Sequence, residues 1–593
     1  MRSSRVLDLA VHALFGLTAA SPVPDSVVFR PEPSPGSKGG VASESLECSQ
    51  IGRDLLARGG IKLTTVVQGN AVDAVVGTTF CVGVIAMYHS GIGGGGFMMV
   101  RDAEGNYEAI DFRESAPAAA FEDMYLGNVE GSIYGGLAAA VPGEVAGLEY
   151  AHRKYGALPW KTTMAGAIHL ARHGFKVSPD LIKYSHLATK RDNFLVDDPA
   201  WAEDFAPNGT LLEVGDIMTR RRYADTLEKI AEQGAEAFYT GEIAESMIKA
   251  IQDTNGTMTL EDLRNYTVIS RNVARITYRG ADLHSIGSPA NGAVTLNILK
   301  IMEQYPLADA ADVNLTTHRF DEAMRFAYGA RLALGDPDFV SRMDEVEGEM
   351  LSEEKAREIR GRIRDDRTLP VDEYDPERLY SAEGHGTSHI STADKSGMAT
   401  SLTTTINLLY GAQLMDPDSG VIINNEMNDF SIPGVPNEFG FAPSEANFIR
   451  PHKRPLSSTT PIIASRNTTT TTTTTSPSSS PHGNSTLLAT VGAAGGSRIV
   501  SATAQVLWRA LEHDLSLTEA LARPRLHDQL IPNYVLLEDA FDPSTAAGLA
   551  ERGHSIRWTP PRVSAVQGVW RHEDGVFEAA GEPRQENSAG LTL

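Results

Sequence analysis

The apolar positions of this chain change rhythm twice. Residues 44–57 and 71–87 read as helices, separated by a Gly59-Gly60 stop. A glycine run, Gly91-Ile92-Gly93-Gly94-Gly95-Gly96, then breaks the pattern. Phe97 to Val100 and Tyr107 to Phe112 read as two strands around a Glu104-Gly105-Asn106 turn. From about 143 to 316 helical patterns dominate, for example over 144–155, 161–174 and 223–234. Residues 340–380 are charged, helical at first and then loop-like. Beyond 387 the character becomes extended, with strands expected at 388–394, 398–408, 421–424, 459–465 and 485–492. A long helix follows Gly495-Gly496, with Ile499, Ala502, Val506 and Ala510 at helical spacing. Helices, then antiparallel strands, then helices predict sheets covered by helices.

The second change of rhythm falls on Gly384-His385-Gly386-Thr387-Ser388-His389. A strand starts there abruptly after glycines. If the Gly386–Thr387 bond were cut, Thr387 would carry a free α-amine beside its own hydroxyl. That amine titrates near neutral pH and can take the hydroxyl proton, which makes a self-contained nucleophile and base. A turn at Asp394-Lys395-Ser396-Gly397 leads into the 398–408 strand, where Thr403, Thr405 and Asn407 share one face. Pairing of the two strands brings Thr405 within reach of the Thr387 hydroxyl. Taken alone, the second strand reads as an exposed, threonine-rich strand, since a buried polar face needs partners.

Other segments carry chemistry that bland readings also explain. Glu426 and Asp429 follow an apolar stretch and suit a cationic amine, or form a solvated loop. Ser457 and Ser458 precede a strand and suit a carboxylate, or cap a turn. Arg113 ends a strand and suits a carboxylate, or pairs with Asp111 or Glu114. Gly492-Ala493-Ala494-Gly495-Gly496-Ser497 sits between strand and helix, where backbone N–H groups can form an oxyanion hole. No Gly-Lys-Ser/Thr follows, so it is not a phosphate loop; the Gly91–Gly96 run fails the same test and reads as close packing. His385 and His389 lack helical context and a third ligand, so no metal site is expected. No Gly-x-Ser-x-Gly is present.

Composition narrows the partners. A net charge of −24 argues against nucleic acid and anionic membrane. Residues 1–20 combine a basic start with an apolar stretch and read as a signal peptide or short anchor. Residues 21–40 are rich in Pro, Ser and Gly and read as disordered. Sequons at Asn208, Asn255, Asn265, Asn314, Asn467 and Asn484 fit a secretory route to the exterior or a vacuolar lumen. Residues 466–483 form a low-complexity Thr/Ser loop between two strands. Cys48 and Cys81 read equally as buried thiols or as one disulfide.

Taken together, these segments resemble the γ-glutamyltransferase (γ-glutamyl transpeptidase) family from about Cys48 onward. The matching motifs are Gly69-Asn70-Ala71-Val72-Asp73-Ala74, Ser90-Gly91-Ile92-Gly93-Gly94-Gly95, Arg113-Glu114-Ser115-Ala116-Pro117 and Ala140-Val141-Pro142-Gly143-Glu144. They continue with Gly386-Thr387-Ser388-His389, Asn424-Asn425-Glu426-Met427, Arg454-Pro455-Leu456-Ser457-Ser458 and Gly492-Ala493-Ala494-Gly495-Gly496.

The resemblance implies an α/β N-terminal-nucleophile hydrolase: a four-layer αββα sandwich with two mainly antiparallel sheets. It implies self-cleavage at Gly386–Thr387 into a large subunit, 41–386, and a small catalytic subunit, 387–593, which stay together as a heterodimer. Thr387 would be the nucleophile and Thr405 would hydrogen-bond it. Arg113, Ser457 and Ser458 would hold the γ-glutamyl α-carboxylate, and Asn407, Glu426 and Asp429 its α-amine. Gly495 and Gly496 would form the oxyanion hole. Substrates would be glutathione and other γ-glutamyl compounds, with water, amino acids or dipeptides as acceptors and no cofactor. It favours a Cys48–Cys81 disulfide. Two features depart from the family: Asn428 stands where an aspartate is common, and the Thr/Ser-rich insertion is unusual. Phe439 falls where some members carry a lid.

Overall fold

The computed structural model describes residues 36–62, 65–380, 386–435, 442–467, 485–561 and 564–593. The expected leader, most of the 21–40 linker, His385, Phe439, most of the Thr/Ser loop and Asn484 lie outside the described residues.

Two antiparallel sheets lie face to face. The first runs in the order Ala589–Thr592, Gly39–Ser43, Gly386–Asp394, Ala399–Asn407, Gly95–Arg101, Tyr107–Phe112, Ile269–Arg271. The second runs Phe577–Ala580, Ala565–Arg571, Ser485–Ala494, Ile462–Asn467, Ala281–Ile286, Val273–Tyr278.

Alternation along a strand assigns its side chains to different cores. Phe97 and Met99 join Ile286, Ile463 and Val569 between the sheets. Met98 and Val100 point the other way, into a core shared with Val75 and Phe80 of helix Ala71–Ile85. A third core packs Phe320 of helix Val313–Arg331 and Val506 of helix Arg498–Glu512 onto Leu283 and Val491 of the second sheet. The layers are therefore helix, sheet, sheet, helix, as the resemblance implies.

Local chemistry explains two of the motifs. Asn70 caps helix Ala71–Ile85: its Oδ1 accepts from the Val72 and Asp73 N–H groups at 3.0 Å, and Asp73 Oδ2 accepts from the Asn70 N–H at 3.0 Å. The glycine run permits close backbone approach. A Cβ on Gly93, Gly94, Gly95 or Gly96 would run into the carbonyl oxygen of Ile422, Thr405, Phe112 or Thr403 respectively. Helix Ala71–Ile85 is also joined to helix Leu46–Ala57 by a Cys48–Cys81 disulfide, with the Cα atoms 5.3 Å apart.

Four expectations change. Strands Ile269–Arg271, Val273–Tyr278 and Ala281–Ile286 lie inside the stretch read as helical. Ala281–Ile286 is buried on both faces, and its apolar/polar alternation runs only from Ala281 to His284 before Ser285-Ile286 break the phase, too short a run to mark a strand. Residues 421–424 form no strand; only Ile422 bridges Met415, and Asn424 is bonded elsewhere. Residues 459–461 precede the strand that begins at Ile462. Gly39 and Gly40, placed by composition in a disordered linker, begin the first strand. Glycine is needed there because a Cβ on Gly40 would lie 2.9 Å from Val569 Cγ1 of the facing sheet.

Gly94 backs directly onto Thr405. Gly94→Ala should cost about 1–3 kcal/mol, read as a lowered midpoint of thermal or denaturant unfolding. An unchanged midpoint would show that the strand can give way at this point.

Candidate active site

Thr387 is the second residue of strand Gly386–Asp394 and is only 6% exposed. Gly386 pairs with Asn407 and Ser388 with Thr404, so Thr405 and Ile406 together oppose Thr387. This is a β-bulge, which re-aims side chains where pairing ends. Beyond it Asn407 takes φ of +69°, a left-handed conformation that Asn tolerates better than most residues. The bulge brings two hydroxyls to one carbonyl. Thr387 Oγ1 and Thr405 Oγ1 each donate to the Gly386 oxygen at 2.6 Å. Thr405 Oγ1 accepts in turn from the Asn407 N–H at 2.7 Å. The expected Thr405–Thr387 bond is thus replaced, in the uncut chain, by a shared bond to the Gly386 carbonyl.

The threonine-rich strand is buried, contrary to its reading in isolation, and its polar groups have partners. Thr403 Oγ1 meets His389 Nδ1 at 2.9 Å, and His389 Nε2 meets Ser391 Oγ at 3.0 Å. Burial lowers the His389 pKa to about 3, so this ring is a neutral core group.

One pocket is lined by Thr387, Thr405, Asn407, Arg113, Glu426, Asp429, Ser457, Ser458 and Gly496. Arg113 is held at the end of its strand by its own N–H, which donates to Asp111 Oδ1 at 2.9 Å. Its guanidinium donates to Glu426 Oε1 and, at 2.5 Å, to Asp429 Oδ2. Asn407 Nδ2 donates to the Asn425 carbonyl at 3.0 Å. Asn424 fixes the acidic loop: its side chain donates to the Gly93 and Ala140 carbonyls and accepts from the Ala140 and Glu426 N–H groups, all within 2.7–3.0 Å. The serine loop is anchored by Arg454, which donates to the carbonyls of Asp111 and Thr267. Ser457 Oγ accepts from the Thr459 N–H at 3.2 Å, and Ser458 Oγ accepts from Arg331 at 3.2 Å.

Charge is crowded here. Burial alone would lower the Arg113 pKa, but Glu426, Asp429 and Glu114 more than reverse this. One cation does not balance three carboxyls. Burial, only partly offset by Arg113, pushes Glu426 well above the usual carboxylate range, and raises Glu114 to about 7. Glu426 Oε2 and Asp429 Oδ1 are buried without a partner among the described residues. The pocket therefore holds a cation and two acceptors with spare capacity, which is the complement of a zwitterion.

The end of strand Ser485–Ala494 completes the surroundings of Thr387. Gly495 and Gly496 have φ of +121° and +61°, the first a conformation that suits glycine alone. Among the described residues, neither N–H donates to a protein acceptor. Gly495 lines a second pocket, which also contains Thr387.

The profile of the gamma-glutamyltranspeptidase family matches residues 48–592 of this chain. The chain belongs to that family. It is 50% identical to the glutathione hydrolase proenzyme of Arthroderma benhamiae, over 94% of this chain and 93% of that protein. It is 44% identical to the glutathione hydrolase of Aspergillus flavus, over 94% of this chain and 90% of that one. Its fold is similar to the crystal structure of a cephalosporin acylase from Bacillus halodurans, with a TM-score of 0.78 and 26% identity over 98% of this chain and 99% of that one. The αββα sandwich is thus that of the N-terminal-nucleophile hydrolases, the γ-glutamyltranspeptidases among them.

Several site residues escaped the sequence reading. Arg331 lies outside every motif, and Asn424 and Asn425, although inside the Asn424-Asn425-Glu426-Met427 motif, had no role assigned; only their contacts reveal what each holds. His89 and Arg498 line the second pocket. Arg498 directly follows the Gly495-Gly496-Ser497 turn, and that adjacency was the available signal. Among the described residues, one group has the makings of a metal site: His318, Glu322 and His554. Its ring nitrogens are already engaged. His318 Nδ1 meets His554 Nε2 at 2.8 Å, and His318 Nε2 meets the Arg364 carbonyl at 2.7 Å.

Removing the Arg113 guanidinium should expose the charge crowding. Arg113→Met leaves Glu426, Asp429 and Glu114 without a counter-charge and should cost about 3–5 kcal/mol near neutral pH. The folded pKa values of Glu426 and Glu114, already raised by burial, would then lie still further above the unfolded ones. The carboxyls would favour the fold while protonated, and that contribution would vanish as pH rises through the folded values. The loss in denaturant midpoint should therefore be smaller at pH 5 than at pH 8. An equal loss at both would show that the carboxyls are not strained by burial.

Proposed function

We propose that Thr387 is the nucleophile of a γ-glutamyl transfer and that it is released by cleavage of its own peptide bond. The observation that carries this reading is the convergence of the Thr387 and Thr405 hydroxyls on the Gly386 carbonyl, beside a pocket suited to a zwitterion.

In the first event Thr387 Oγ attacks the Gly386 carbonyl carbon. Thr405 steadies the developing negative charge on the oxygen it already touches. The C–N bond breaks as the nitrogen gains a proton, and an ester links Gly386 to Thr387 Oγ. Water hydrolyses that ester. Gly386 becomes a carboxylate, and Thr387 becomes an N-terminus with a free amine and hydroxyl. The products are the large subunit, ending at Gly386, and the small subunit, beginning at Thr387.

In each later turnover the new α-amine takes the Thr387 hydroxyl proton, and Oγ attacks the γ-carbonyl of glutathione or a related donor. The Gly495 and Gly496 N–H groups receive the oxyanion. The amine, cysteinylglycine for glutathione, leaves with the proton. Water or the amine of an amino acid or dipeptide then takes the γ-glutamyl group from Thr387. Arg113, Ser457 and Ser458 hold the donor's α-carboxylate, while Asn407, Glu426 and Asp429 hold its α-ammonium. Since Arg113 and the two carboxyls pair with one another in this structure, the donor exchanges one set of ion pairs for another.

Secretory or vacuolar placement fits the disulfide and the exposed sequons Asn208, Asn255 and Asn265. Asn314 is half-buried, and the side chain of Asn467 is not described. No described helix is long and apolar enough to cross a membrane.

A related acylase acting on glutaryl or cephalosporin-type amides is the second reading, since the acylase from Bacillus halodurans shares the fold. The acidic pair Glu426 and Asp429 favours a donor with a free α-amine instead. Hydrolysis of a glutaryl amide without release from γ-glutamyl-p-nitroanilide would reverse that preference.

Purified protein should run as two bands, the smaller with Thr387 as its N-terminal residue. Thr387→Ala should stay uncut and inactive; a cut or active variant would sink the nucleophile assignment. Thr405→Val should slow cutting by roughly 10²–10³-fold, the usual loss for one oxyanion donor, while Thr405→Ser retains most of the rate. Gel time courses of freshly made protein measure both.

Glu426 sets an acid limb. The donor's ammonium needs the ionised carboxylate, so protonation as pH falls weakens binding. That limb in kcat/KM should lie above the ordinary carboxylate value of about 4.3, because burial raises Glu426. Glu426→Gln should raise donor KM by roughly 10–100-fold, the worth of a charge-assisted hydrogen bond, and flatten the limb. A limb that survives in the variant belongs to another group.

A further inference from the structure

Two adjacent glycines are a pliable place to put an oxyanion site, so Gly495 and Gly496 must be held from both ends. On the strand side Ala494 pairs with Ala565 at the end of strand Ser485–Ala494. On the helix side the task falls to Ser497, which is buried and opens helix Arg498–Glu512. A serine in that position ordinarily turns its oxygen back to accept from the first-turn N–H groups. Here it makes no such bond. Its Oγ donates instead to Gln529 Oε1 at 2.6 Å, and its carbonyl accepts from the Tyr328 hydroxyl at 2.5 Å. Both polar ends of Ser497 are thus held by residues outside the turn.

The Tyr328 bond reaches beyond Ser497. The Ser497 carbonyl and the Arg498 N–H belong to one planar peptide unit. That N–H donates to the Gly495 carbonyl at 3.3 Å. The Gly495 carbonyl in turn shares a peptide unit with the Gly496 N–H. In a trans peptide these two groups point opposite ways, and among the described residues only Ser288-Pro289 and Ile531-Pro532 are cis. The Gly496 N–H is therefore turned away from the start of the helix, and Gly496 lines the pocket that contains Thr387 and Arg113. A phenol hydroxyl and two peptide units form one line of hydrogen bonds that ends at this N–H, and along such a line each donor strengthens the next.

The two holders are themselves fixed. Tyr328 is buried on helix Val313–Arg331, three residues before the Arg331 that donates to Ser458, so one face of that helix meets both the glycine turn and the serine loop. Gln529 follows Asp528, whose Oδ2 accepts from Arg325 of the same helix at 2.7 Å. Gln529 Oε1 also meets His527 Nε2 at 2.9 Å, and the Gln529 amide donates to the Ile531 carbonyl at 3.0 Å. Burial holds His527 neutral. Its one ring proton therefore sits on Nε2, facing an oxygen that can only accept.

We propose that Tyr328 and Gln529 are positioning residues for the reaction at Thr387. They hold the Gly495-Gly496 turn so that the Gly496 N–H faces the oxyanion, Tyr328 through the two peptide units and Gln529 through the Ser497 hydroxyl. The inference rests on the proposed reaction. It adds that the oxyanion site, though built from backbone that follows Thr387 in the chain, is set by a helix that precedes the cut.

The test uses the full chain after self-cleavage, with γ-glutamyl-p-nitroanilide as donor and rates taken per cut molecule. Tyr328→Phe removes one hydroxyl and keeps the ring. Its kcat and kcat/KM should fall together by roughly 10-fold, less than the 10²–10³-fold lost with a direct oxyanion donor. Gln529→Met frees the Ser497 hydroxyl and should lower kcat by a smaller factor. Replacing Tyr328 with a ring-fluorinated tyrosine keeps the hydroxyl and should restore most of kcat. Cutting at Gly386–Thr387 draws on Thr405 and not on this turn, so freshly made Tyr328→Phe should be cut at the wild-type rate. A damaged fold would slow cutting and turnover alike, and that result overturns the inference. So does a wild-type kcat in Tyr328→Phe, or a fluorinated protein as slow as the Phe variant. If Tyr328→Phe does not fold, Gln529→Met carries the same comparison of cutting with turnover. Wild-type protein that releases no p-nitroaniline overturns the reaction at Thr387 itself, a result that the variants cannot imitate.

Discussion

Two hydroxyl groups on one carbonyl oxygen are the contact around which the rest of this structure is arranged. They require Thr387 and Thr405 to meet across a strand pair at a place where regular pairing would not bring them together. The bulge supplies the offset, and Asn407 absorbs it with a left-handed backbone. From behind, the glycine run lets the neighbouring strand close on the Thr405 carbonyl. From the side, Asn425 accepts from Asn407 and Asn424 ties the loop to Gly93 and Ala140. Backbone groups do most of this positioning. The site therefore inherits the rigidity of the sheet, not the freedom of a surface loop.

Electrostatics constrains the other half. A pocket for a zwitterion must contain both signs of charge, and when buried it cannot leave them apart. Arg113 and the acids Glu426 and Asp429 consequently close on each other. On the proposed reading, binding would exchange ion pairs without a net transfer of charge into the interior, which avoids the desolvation cost of burying a lone ion. The excess of carboxyl over guanidinium remains, and burial answers it by holding Glu426 and Glu114 towards their neutral forms.

The sequence was legible where function demands contiguous residues. Gly386-Thr387, Gly495-Gly496 and Ser457-Ser458 could be singled out because their chemistry depends on adjacency. The amphipathic helices were visible for the same reason: helix Glu144–Tyr155 begins and ends where its pattern does. Elements buried on both faces were not. Ala281–Ile286 alternates only from Ala281 to His284 before its phase breaks at Ser285-Ile286, and Gly39–Ser43 is a strand whose first residues carry no side chains at all. The shared Gly386 carbonyl was not legible, because an alternating strand predicts faces but not bulges. Arg331, Asn424 and Arg498 show the remaining gap, since what each does is set by residues far away in the chain.

The order of strands in the first sheet has a consequence for what a cut can do. Strand Gly39–Ser43 is wedged between Ala589–Thr592 and Gly386–Asp394, and Ala399–Asn407 lies against Gly95–Arg101. In the second sheet Ala281–Ile286 borders Ile462–Asn467. Segments from before and after Gly386 are thus woven together like fingers. Severing the chain at Thr387 changes its connectivity and leaves the hydrogen-bonded fabric continuous. The two pieces could part only by unravelling both sheets, so separation and denaturation would be a single event. An N-terminus made in the middle of a sheet is a chain end with nowhere to go, and this would keep a freed amine beside the Thr387 hydroxyl.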